Sequence, residues 1–250
     1  PYRRQRQMCI RDSIDKASIK YTDGSTYEGT CKSGELTGIG NMKFASGDEY
    51  DGAFSKGYRS GQGVYTWNSG DKYDGEWNSD QMTGSGTYTY TDGSYASGTF
   101  SKNIFTDGSY YIKNDFGKYT FTITAGEPTA VEMVLENGTT YSGDMCEGKL
   151  SGQAQIKYSN GDKYSGSVVD GQKSGQGTYT WVSGASYEGE WSEDQMNGRG
   201  TYLYPAGEDG FKLTGSFEDG QPTGECQYYV NSAKHYKTDW SNGRCVKIYE

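Results

Sequence analysis

The sequence predicts an all-β protein in which consecutive β-hairpins form one elongated, twisted antiparallel sheet. Aromatic and glycine residues recur at a fixed step, and polar and apolar residues alternate between turn signals, as in strands with one wet face. The composition agrees, because the 250 residues include 24 Tyr, 8 Phe, 5 Trp and 38 Gly. Regular spacing and abundant aromatic residues argue against a disordered chain.

Aromatic-x-Gly triplets mark the repeat. Tyr27, Tyr50 and Tyr73 open such triplets at intervals of 23 residues, and Ala96 continues the step with alanine in the tyrosine position. After an irregular stretch, the step resumes in a second series at Tyr141, Tyr164 and Tyr187, with weaker continuations at Leu213 and Tyr236. This self-similarity predicts about nine hairpin units stacked along the chain.

A longer duplication overlies the short repeat. The first three tyrosines of the two series differ by a constant offset of 114 residues. The surrounding sequence follows the same offset, since SGQGVYTWNSG at residues 60–70 recurs as SGQGTYTWVSG at residues 174–184. We infer that a block of several repeats was duplicated as a whole.

These periods divide the chain into four segments. Residues 1–13 lack the repeat pattern, and we interpret them as a non-native or disordered basic leader, because residues 8–13 (MCIRDS) resemble the translation of a sequencing adapter. Residues 14–102 form the first repeat block. Residues 136–250 form the second block, which we expect to be cut within a repeat at its end. Residues 103–135 are predicted to be a degenerate repeat or a bend.

Each unit is predicted to contain two strands. Tyr73, Gly75 and Trp77 alternate along one strand and so share a face, and the glycine leaves a slot in which a cross-strand aromatic ring can lie. A longer hairpin loop is predicted around the Gly-x-Gly pairs, such as Gly61 and Gly63. Tight turns with positive φ are predicted at Asp23-Gly24, Asp92-Gly93, Asn137-Gly138 and Asn160-Gly161.

The pattern Tyr-x-Gly-x-Trp/Phe, a Gly-x-Gly segment, an aromatic strand and a turn, repeated every 23 residues, resembles the MORN (membrane occupation and recognition nexus) repeat. The resemblance covers roughly residues 19–250 and is clearest in the units that open at Tyr50, Tyr73, Tyr164 and Tyr187. It implies an elongated antiparallel sheet that acts as a scaffold, as a dimerisation element, or as a module beside a lipid-kinase or methyltransferase domain. The family name reflects a proposed role at membranes.

The aromatic face of the predicted sheet is the candidate binding surface, because no segment has the helical periodicity needed to cover it. A helix or peptide from a partner protein, or a second copy of the chain, would lie in a groove of rings over glycines. The candidate groove residues are Tyr65, Trp67, Tyr73, Trp77, Tyr179, Trp181, Tyr187 and Trp191. The alternative is that these rings satisfy one another and form only a core.

Catalysis is not supported by the residue inventory. His235 is the only histidine, and no pattern brings a nucleophile, a base and an orienting group together. The five cysteines show no Cys-x-x-Cys pair, which argues against a zinc site and a disulfide framework. We therefore expect a protein that is not an enzyme and that uses no cofactor or metal.

Carboxylates also recur, in a Gly-Asp-x-Tyr context, at Asp48, Asp71 and Asp162. A ladder of such groups could in principle collect Ca²⁺. Single carboxylates in repeats about 10 Å apart do not share one ion, however. We therefore predict that these aspartates stabilise turns.

The formal net charge of −9 disfavours nucleic acid as a partner and weakens attraction to anionic membranes. We predict a protein–protein interaction scaffold within a larger protein or assembly, with a peripheral membrane or phosphoinositide-binding module as the alternative. Glycan binding is a weaker third option. The modest basic pairs available for a lipid role are Lys56 with Arg59, and Lys113 with Lys118. The composition indicates a cytoplasmic location, with cytoskeletal or membrane association as alternatives.

Overall fold

The computed structural model of the protein describes residues 14–205, 211–231 and 233–249. The predicted leader, residues 1–13, lies outside the described residues. Within the described ranges the chain forms strands and turns and contains no helix. The all-β prediction is confirmed.

The strands are short and evenly distributed along the chain. The first nine are β1 (Ile14–Lys20), β2 (Thr26–Lys32), β3 (Glu35–Lys43), β4 (Glu49–Ser55), β5 (Tyr58–Thr66), β6 (Lys72–Asn78), β7 (Gln81–Thr89), β8 (Tyr95–Ser101) and β9 (Ile104–Asn114). The others are β10 (Gly117–Thr124), β11 (Glu127–Leu135), β12 (Thr140–Cys146), β13 (Lys149–Lys157), β14 (Lys163–Val169), β15 (Gln172–Thr180), β16 (Ser186–Ser192), β17 (Gln195–Leu203), β18 (Lys212–Glu218), β19 (Gln221–Tyr229), β20 (His235–Ser241) and β21 (Arg244–Tyr249).

The 21 strands of the described residues belong to one sheet. Strands that follow one another in the chain pair antiparallel from β1 to β9 and again from β11 to β21. The predicted single antiparallel sheet of consecutive hairpins is therefore confirmed. Residues 103–135 contribute β9, β10 and β11, so the strands outnumber those of nine hairpins.

The chain divides into two compact units. The first contains the described residues up to Lys113 together with Thr120–Glu127. The second contains Asn114–Tyr119 together with the described residues from Pro128 onward. Each unit carries one complete copy of the duplicated series of tyrosines.

The tyrosine of each complete triplet fills the space above two glycines. Strand β6 pairs with β7 so that Gly75 lies opposite Gly86. A Cβ atom added to Gly75 would lie 2.6 Å from the hydroxyl oxygen of Tyr73, and one added to Gly86 would lie 2.6 Å from carbons of the same ring. Only glycine leaves room for this ring, which is itself fully buried. The prediction of a glycine slot for an aromatic ring is confirmed.

The phenol hydroxyl at the end of this ring is held by one recurring hydrogen bond. Tyr73 Oη donates to the carbonyl oxygen of Glu76, three residues later, at 3.2 Å. The same bond, at 2.7 to 3.0 Å, is made by Tyr27, Tyr50, Tyr164 and Tyr187. A buried hydroxyl without a partner would cost about 1–3 kcal/mol, so the bond makes burial of tyrosine possible.

The Gly-x-Gly pairs do not form hairpin loops, and that prediction is wrong. Gly61 and Gly63 both lie within strand β5. Gly61 has a φ of +82° and lies where the register between β4 and β5 shifts, so it takes the left-handed position of a β-bulge. Gly63 lies beneath the ring of Tyr50. The first glycine bends the strand and the second receives the ring.

The hairpin connections are of two kinds. The four predicted tight turns are confirmed, and their glycines Gly24, Gly93, Gly138 and Gly161 all have φ between +84° and +99°. Connections of similar length at residues 44–48, 67–71 and 181–185 also contain one glycine with positive φ. The second kind is a two-residue turn in which both residues have positive φ, such as Lys56 and Gly57. Such turns match the right-handed twist of the strands they join.

Two hairpin repeats of the second block lack the usual pair of glycines beneath a tyrosine ring, and they show what this packing requires. Ala154 stands opposite Gly143, where other units have a second glycine, and the hydroxyl of Tyr141 is buried there without a hydrogen-bond partner. In a later unit the thiol of Cys226 fills the space beside Gly215, and the residue in the tyrosine position is Leu213. The ring and the glycines therefore depend on each other.

We expect Gly177→Ala to destabilise the second unit by about 1–3 kcal/mol, the usual cost of overpacking. The reason is that a Cβ atom at Gly177 would lie 2.6 Å from a carbon of the Tyr164 ring. Urea unfolding followed by tryptophan fluorescence measures the change.

Ala154→Gly is the matched control, because it makes the reverse exchange at a slot that already holds alanine. A hydrogen bond regained by Tyr141, worth about 1 kcal/mol, offsets the entropic cost of glycine, about 0.5–1 kcal/mol. If Gly177→Ala changed stability by less than about 0.5 kcal/mol, as an ordinary surface substitution does, the slot would not be required.

Candidate functional site

The eight predicted groove residues separate into buried and half-exposed side chains. Tyr73 and Tyr187 are fully buried beneath their neighbours, and Trp77 and Trp191 are 4% and 6% exposed. These four rings belong to the core of their units and offer no surface to a partner. The other four lie nearer the ends of the strands, and Trp67, Tyr179 and Trp181 are half-buried.

Five rings of the first unit form a continuous row, which we call the first ladder; one of them, Tyr65, is 8% exposed and buried, and the other four are partly exposed. It consists of Phe44, Tyr65, Trp67, Tyr88 and Tyr90. Successive ring centroids lie 5.7, 4.7, 4.9 and 4.7 Å apart. Tyr65 is the most buried member and Tyr90 the most exposed, at 38%.

The second unit repeats this arrangement at the 114-residue offset. The second ladder consists of Tyr158, Tyr179, Trp181, Tyr202 and Tyr204. Its successive centroids lie 5.6, 4.8, 5.4 and 4.9 Å apart. The duplication has therefore preserved four of the five residues, with Tyr158 in place of Phe44, and the geometry of the row.

The recurring aspartates fix the ladders in place. Asp162 accepts hydrogen bonds from the hydroxyl of Tyr179 and from the backbone N–H of Val182, both at 2.8 Å. Asp48 does the same for Tyr65 and Asn68, at 2.8 Å each, and Asp71 holds Tyr88 and Thr91 at 3.3 and 3.1 Å. Each carboxylate thus links its own hairpin turn to the next repeat, where it binds both the ladder tyrosine and the following turn. These contacts agree with the prediction that the aspartates stabilise turns.

These bonds also set the ionisation of the groups. The pKa of the Asp162 carboxyl lies below its usual value, because the N–H of Val182 and the hydroxyl of Tyr179 both stabilise its charged form. The pKa of Tyr179 is raised in turn by burial, by its bond to Asp162 and by the negative charge of that carboxylate. Tyr179 therefore stays a neutral donor at physiological pH.

In each of the two compact units, a cationic side chain packs against a buried tryptophan and a ladder tyrosine. The guanidinium carbon of Arg59 lies 4.3 Å from the Trp77 ring centroid and 4.9 Å from that of Tyr65, and its Nε is 3.0 Å from Oδ1 of Asp80. In the second unit, the Lys173 ammonium lies 5.3 Å from the Trp191 centroid, and it pairs with Asp194 at 2.9 Å. Both cations are largely buried and form ion pairs with aspartates. Arg59, a candidate for lipid contact from the sequence, therefore stabilises the fold through its ion pair and its ring contacts.

The remaining sequence candidates are placed as follows. Lys113 and Lys118 fall in different units. Among residues 14–205, 211–231 and 233–249, no group of three or more His, Cys, Asp or Glu is arranged to hold a metal ion. Cys31 is disulfide-bonded, which the cysteine spacing did not indicate, whereas Cys146, Cys226 and Cys245 are free. The described part of the chain contains no helix with the length and apolar character of a membrane crossing.

The fold and the duplicated ladders define an array of β-hairpin repeats. The family model of the MORN repeat matches residues 50–72, 73–95, 164–186, 187–208 and 214–233. The chain is a MORN-repeat protein, and the repeats of this family mediate interactions with proteins or membranes. Four of the five matches open at the tyrosines of the units that fit the repeat best, Tyr50, Tyr73, Tyr164 and Tyr187.

Comparison with other known proteins adds little about activity. No curated protein matches the sequence. One similar solved structure is that of the SAS-4 (dCPAP) TCP domain in complex with a proline-rich motif of Ana2 (dSTIL) of Drosophila melanogaster, with 12% identity, coverage of 85% of this chain and 95% of that chain, and a TM-score of 0.31. Another is a streptogramin B lyase structure, with 10% identity, 98% and 85% coverage and a TM-score of 0.17. Neither likeness is close enough to bear on function.

Sequence reasoning missed six of the ten ladder rings. The missed residues are Phe44, Tyr88, Tyr90, Tyr158, Tyr202 and Tyr204. The signal that could have found them is the 23-residue step applied to the second aromatic strand of each unit, since Tyr65 and Tyr88 are separated by one such step.

We expect Asp162→Asn to lower the melting temperature of the second unit at neutral pH and to leave it unchanged at low pH. Because the folded pKa of Asp162 is depressed, its charge stabilises the fold above the unfolded pKa of about 4, and this contribution disappears as the pH falls through the folded value. Thermal unfolding of both proteins between neutral pH and strongly acidic pH measures the difference.

Asp219→Asn is the charge-matched control, because Asp219 makes no ion pair or side-chain hydrogen bond within the described residues. If the Asp162 variant and the wild type differed equally at all pH values, the charge of Asp162 would not be what stabilises the turn.

Proposed function

We propose that this protein is a non-catalytic scaffold that binds partner proteins through its two aromatic ladders. The observation that carries the proposal is the duplication, in both units and with similar spacing, of a row of five rings of which all except Tyr65 are partly exposed. A core alone would bury such rings, as it buries Tyr73 and Tyr187. Large rigid rings left partly in water are efficient anchors for protein interfaces.

The rigidity of the rows favours binding. Tyr65 and Tyr179 are tied to Asp48 and Asp162, so their rings need little further ordering when a partner arrives. Loss of side-chain freedom costs about 0.5–1.5 kcal/mol for each mobile side chain at an interface, and a fixed ring avoids much of it. The ladders are therefore preorganised surfaces.

The chemistry of the surface suggests the kind of partner. Rings supply apolar contact, and the carboxylates of Asp48, Asp71 and Asp162 lie beside them in a chain whose net charge is −9. A segment of a partner protein with apolar and basic side chains, either an extended peptide or a helix, fits this surface best. Two equivalent ladders would let one chain hold two such segments, or pair with a second copy of itself.

Selection from a random peptide display library tests the proposal. We expect the wild type to enrich peptides that combine apolar and basic residues, and we expect Trp67→Leu with Trp181→Leu to weaken their binding at least about tenfold, since truncating an anchor commonly costs 2 kcal/mol or more. Sedimentation velocity of the same proteins reports pairing of two copies.

Val182→Ser is the control, because Val182 is 74% exposed beside Trp181 and lies outside the ladder rows. It should leave peptide binding unchanged. Peptides that bound the double tryptophan variant as tightly as the wild type would show that the ladders are not the interaction surface.

A further inference from the structure

The polar face of the second unit contains a concave cavity of about 550 Å³. It spans strands β11 to β15, all within that unit. The side chains that line it on the polar face are Glu132, Val134, Thr140, Ser142, Gln155, Lys157, Lys163, Ser165, Thr178 and Thr180. The lining is rich in hydroxyl and ammonium donors and contains one carboxylate.

Two lysines stand opposite each other in this cavity. Lys157 on β13 is the register partner of Lys163 on β14. Like charges in directly opposed positions of an antiparallel pair repel each other. Within the described residues neither lysine forms an ion pair, and both side chains are exposed to the cavity. The pair is an uncompensated positive site in a chain of net charge −9.

The first unit provides an internal comparison at the 114-residue offset. There the positions of Lys157 and Lys163 are occupied by Lys43 and Glu49, which pair at 3.9 Å. Asn41, the counterpart of Gln155, also donates to Glu49, at 2.6 Å. The first unit therefore satisfies these groups internally, whereas in the second unit the corresponding donors have no partner among residues that the structure describes.

Two further acids are absent from the second unit. Glu28 and Asp51 of the first unit correspond to Ser142 and Ser165, which both line the cavity. Together with the exchange of Glu49 for Lys163, three carboxylates on this face have been replaced by two hydroxyls and an ammonium group. Two other lining positions change in the opposite direction, because Glu132 replaces Ser18 and Val134 replaces Lys20. The ten lining positions nevertheless hold two lysines and three acids in the first unit and two lysines and one acid in the second, so their formal charge changes from −1 to +1.

We propose that this cavity binds a phosphate group carried by a ligand. Lys157 and Lys163 would pair with its charged oxygens, and Gln155 and Ser165, which are register partners on the same two strands, would donate hydrogen bonds to the same group. Ser142 and Thr178 lie one strand further out on either side, where their hydroxyls can contact the rest of the ligand. A multiply charged oxyanion relieves the repulsion between the two lysines, which a neutral ligand or a metal cation does not. The lone carboxylate, Glu132, lies at the β11 side of the cavity, where it can accept a hydrogen bond from a hydroxyl group of the ligand.

The test uses the full chain with two probes, inorganic pyrophosphate in solution and phosphatidylcholine vesicles that carry a phosphatidylinositol bisphosphate. Calorimetry measures the first and co-sedimentation the second, each at low and physiological salt. We expect saturable binding of at least one probe, weakened at least about tenfold by Lys163→Glu, because one ion pair is replaced by a repulsion. Lys43→Glu, which makes the same charge change in the first unit, should change binding less than about twofold.

Folding of the variant is checked in the same experiment. Lys163→Glu recreates the lysine–glutamate pair of the first unit, so its melting temperature should equal or exceed that of the wild type. If pyrophosphate binds, and Lys163→Glu but not Lys43→Glu weakens its binding, the ligand is a soluble phosphate compound. If only the vesicles bind, and the two variants differ in the same way, the ligand is a lipid head group. Failure to bind either probe, or equal weakening by Lys43→Glu, overturns the proposal.

Discussion

The burial of one tyrosine ring above two glycines is the interaction on which the rest of the structure depends. A one-layer sheet has no second layer to bury its apolar face, so it must bury its rings within its own thickness. The glycine row provides that depth, and the bond from each tyrosine hydroxyl to the carbonyl oxygen three residues later satisfies the polar end of the ring. Where the second glycine is replaced by Ala154, the hydroxyl of Tyr141 loses this bond.

The same packing also creates the surfaces available for function. The rings in the glycine slots are fully buried. The outer ladder rings, such as Trp67, lie nearer the tight turns and beyond the glycines, so they stay partly exposed to water. Aspartates from the neighbouring unit hold those outer rings in rows. On the opposite face the two copies have diverged in charge, as Glu49 and Lys163 show. One face conserves an aromatic surface and the other is free to specialise.

Much of the fold could be predicted from the sequence because period and composition reflect strand geometry directly. The 23-residue step located the strands, and Asp23-Gly24 and similar pairs located the turns. The Gly-x-Gly pairs were misassigned because a β-bulge glycine and a loop glycine both take positive φ, and only the pairing register separates them. Of the ten ladder rings, four could be predicted from the sequence. Sequence alternation assigns Trp67 and Trp77 to one face, but it does not show that Trp77 lies in the covered part of that face and Trp67 near its edge.

An alkaline titration of the tyrosines tests the central claim most directly. Burial raises the pKa of Tyr27, Tyr50, Tyr73, Tyr164 and Tyr187 to about 12. Because these values exceed the unfolded value of about 10, the stabilisation is complete below pH 10 and is lost as the pH rises through the folded values. Ultraviolet absorbance should therefore show that these buried tyrosines ionise near pH 12, together with loss of the sheet signal in circular dichroism. Ionisation of every tyrosine near pH 10 with the sheet intact would contradict the account.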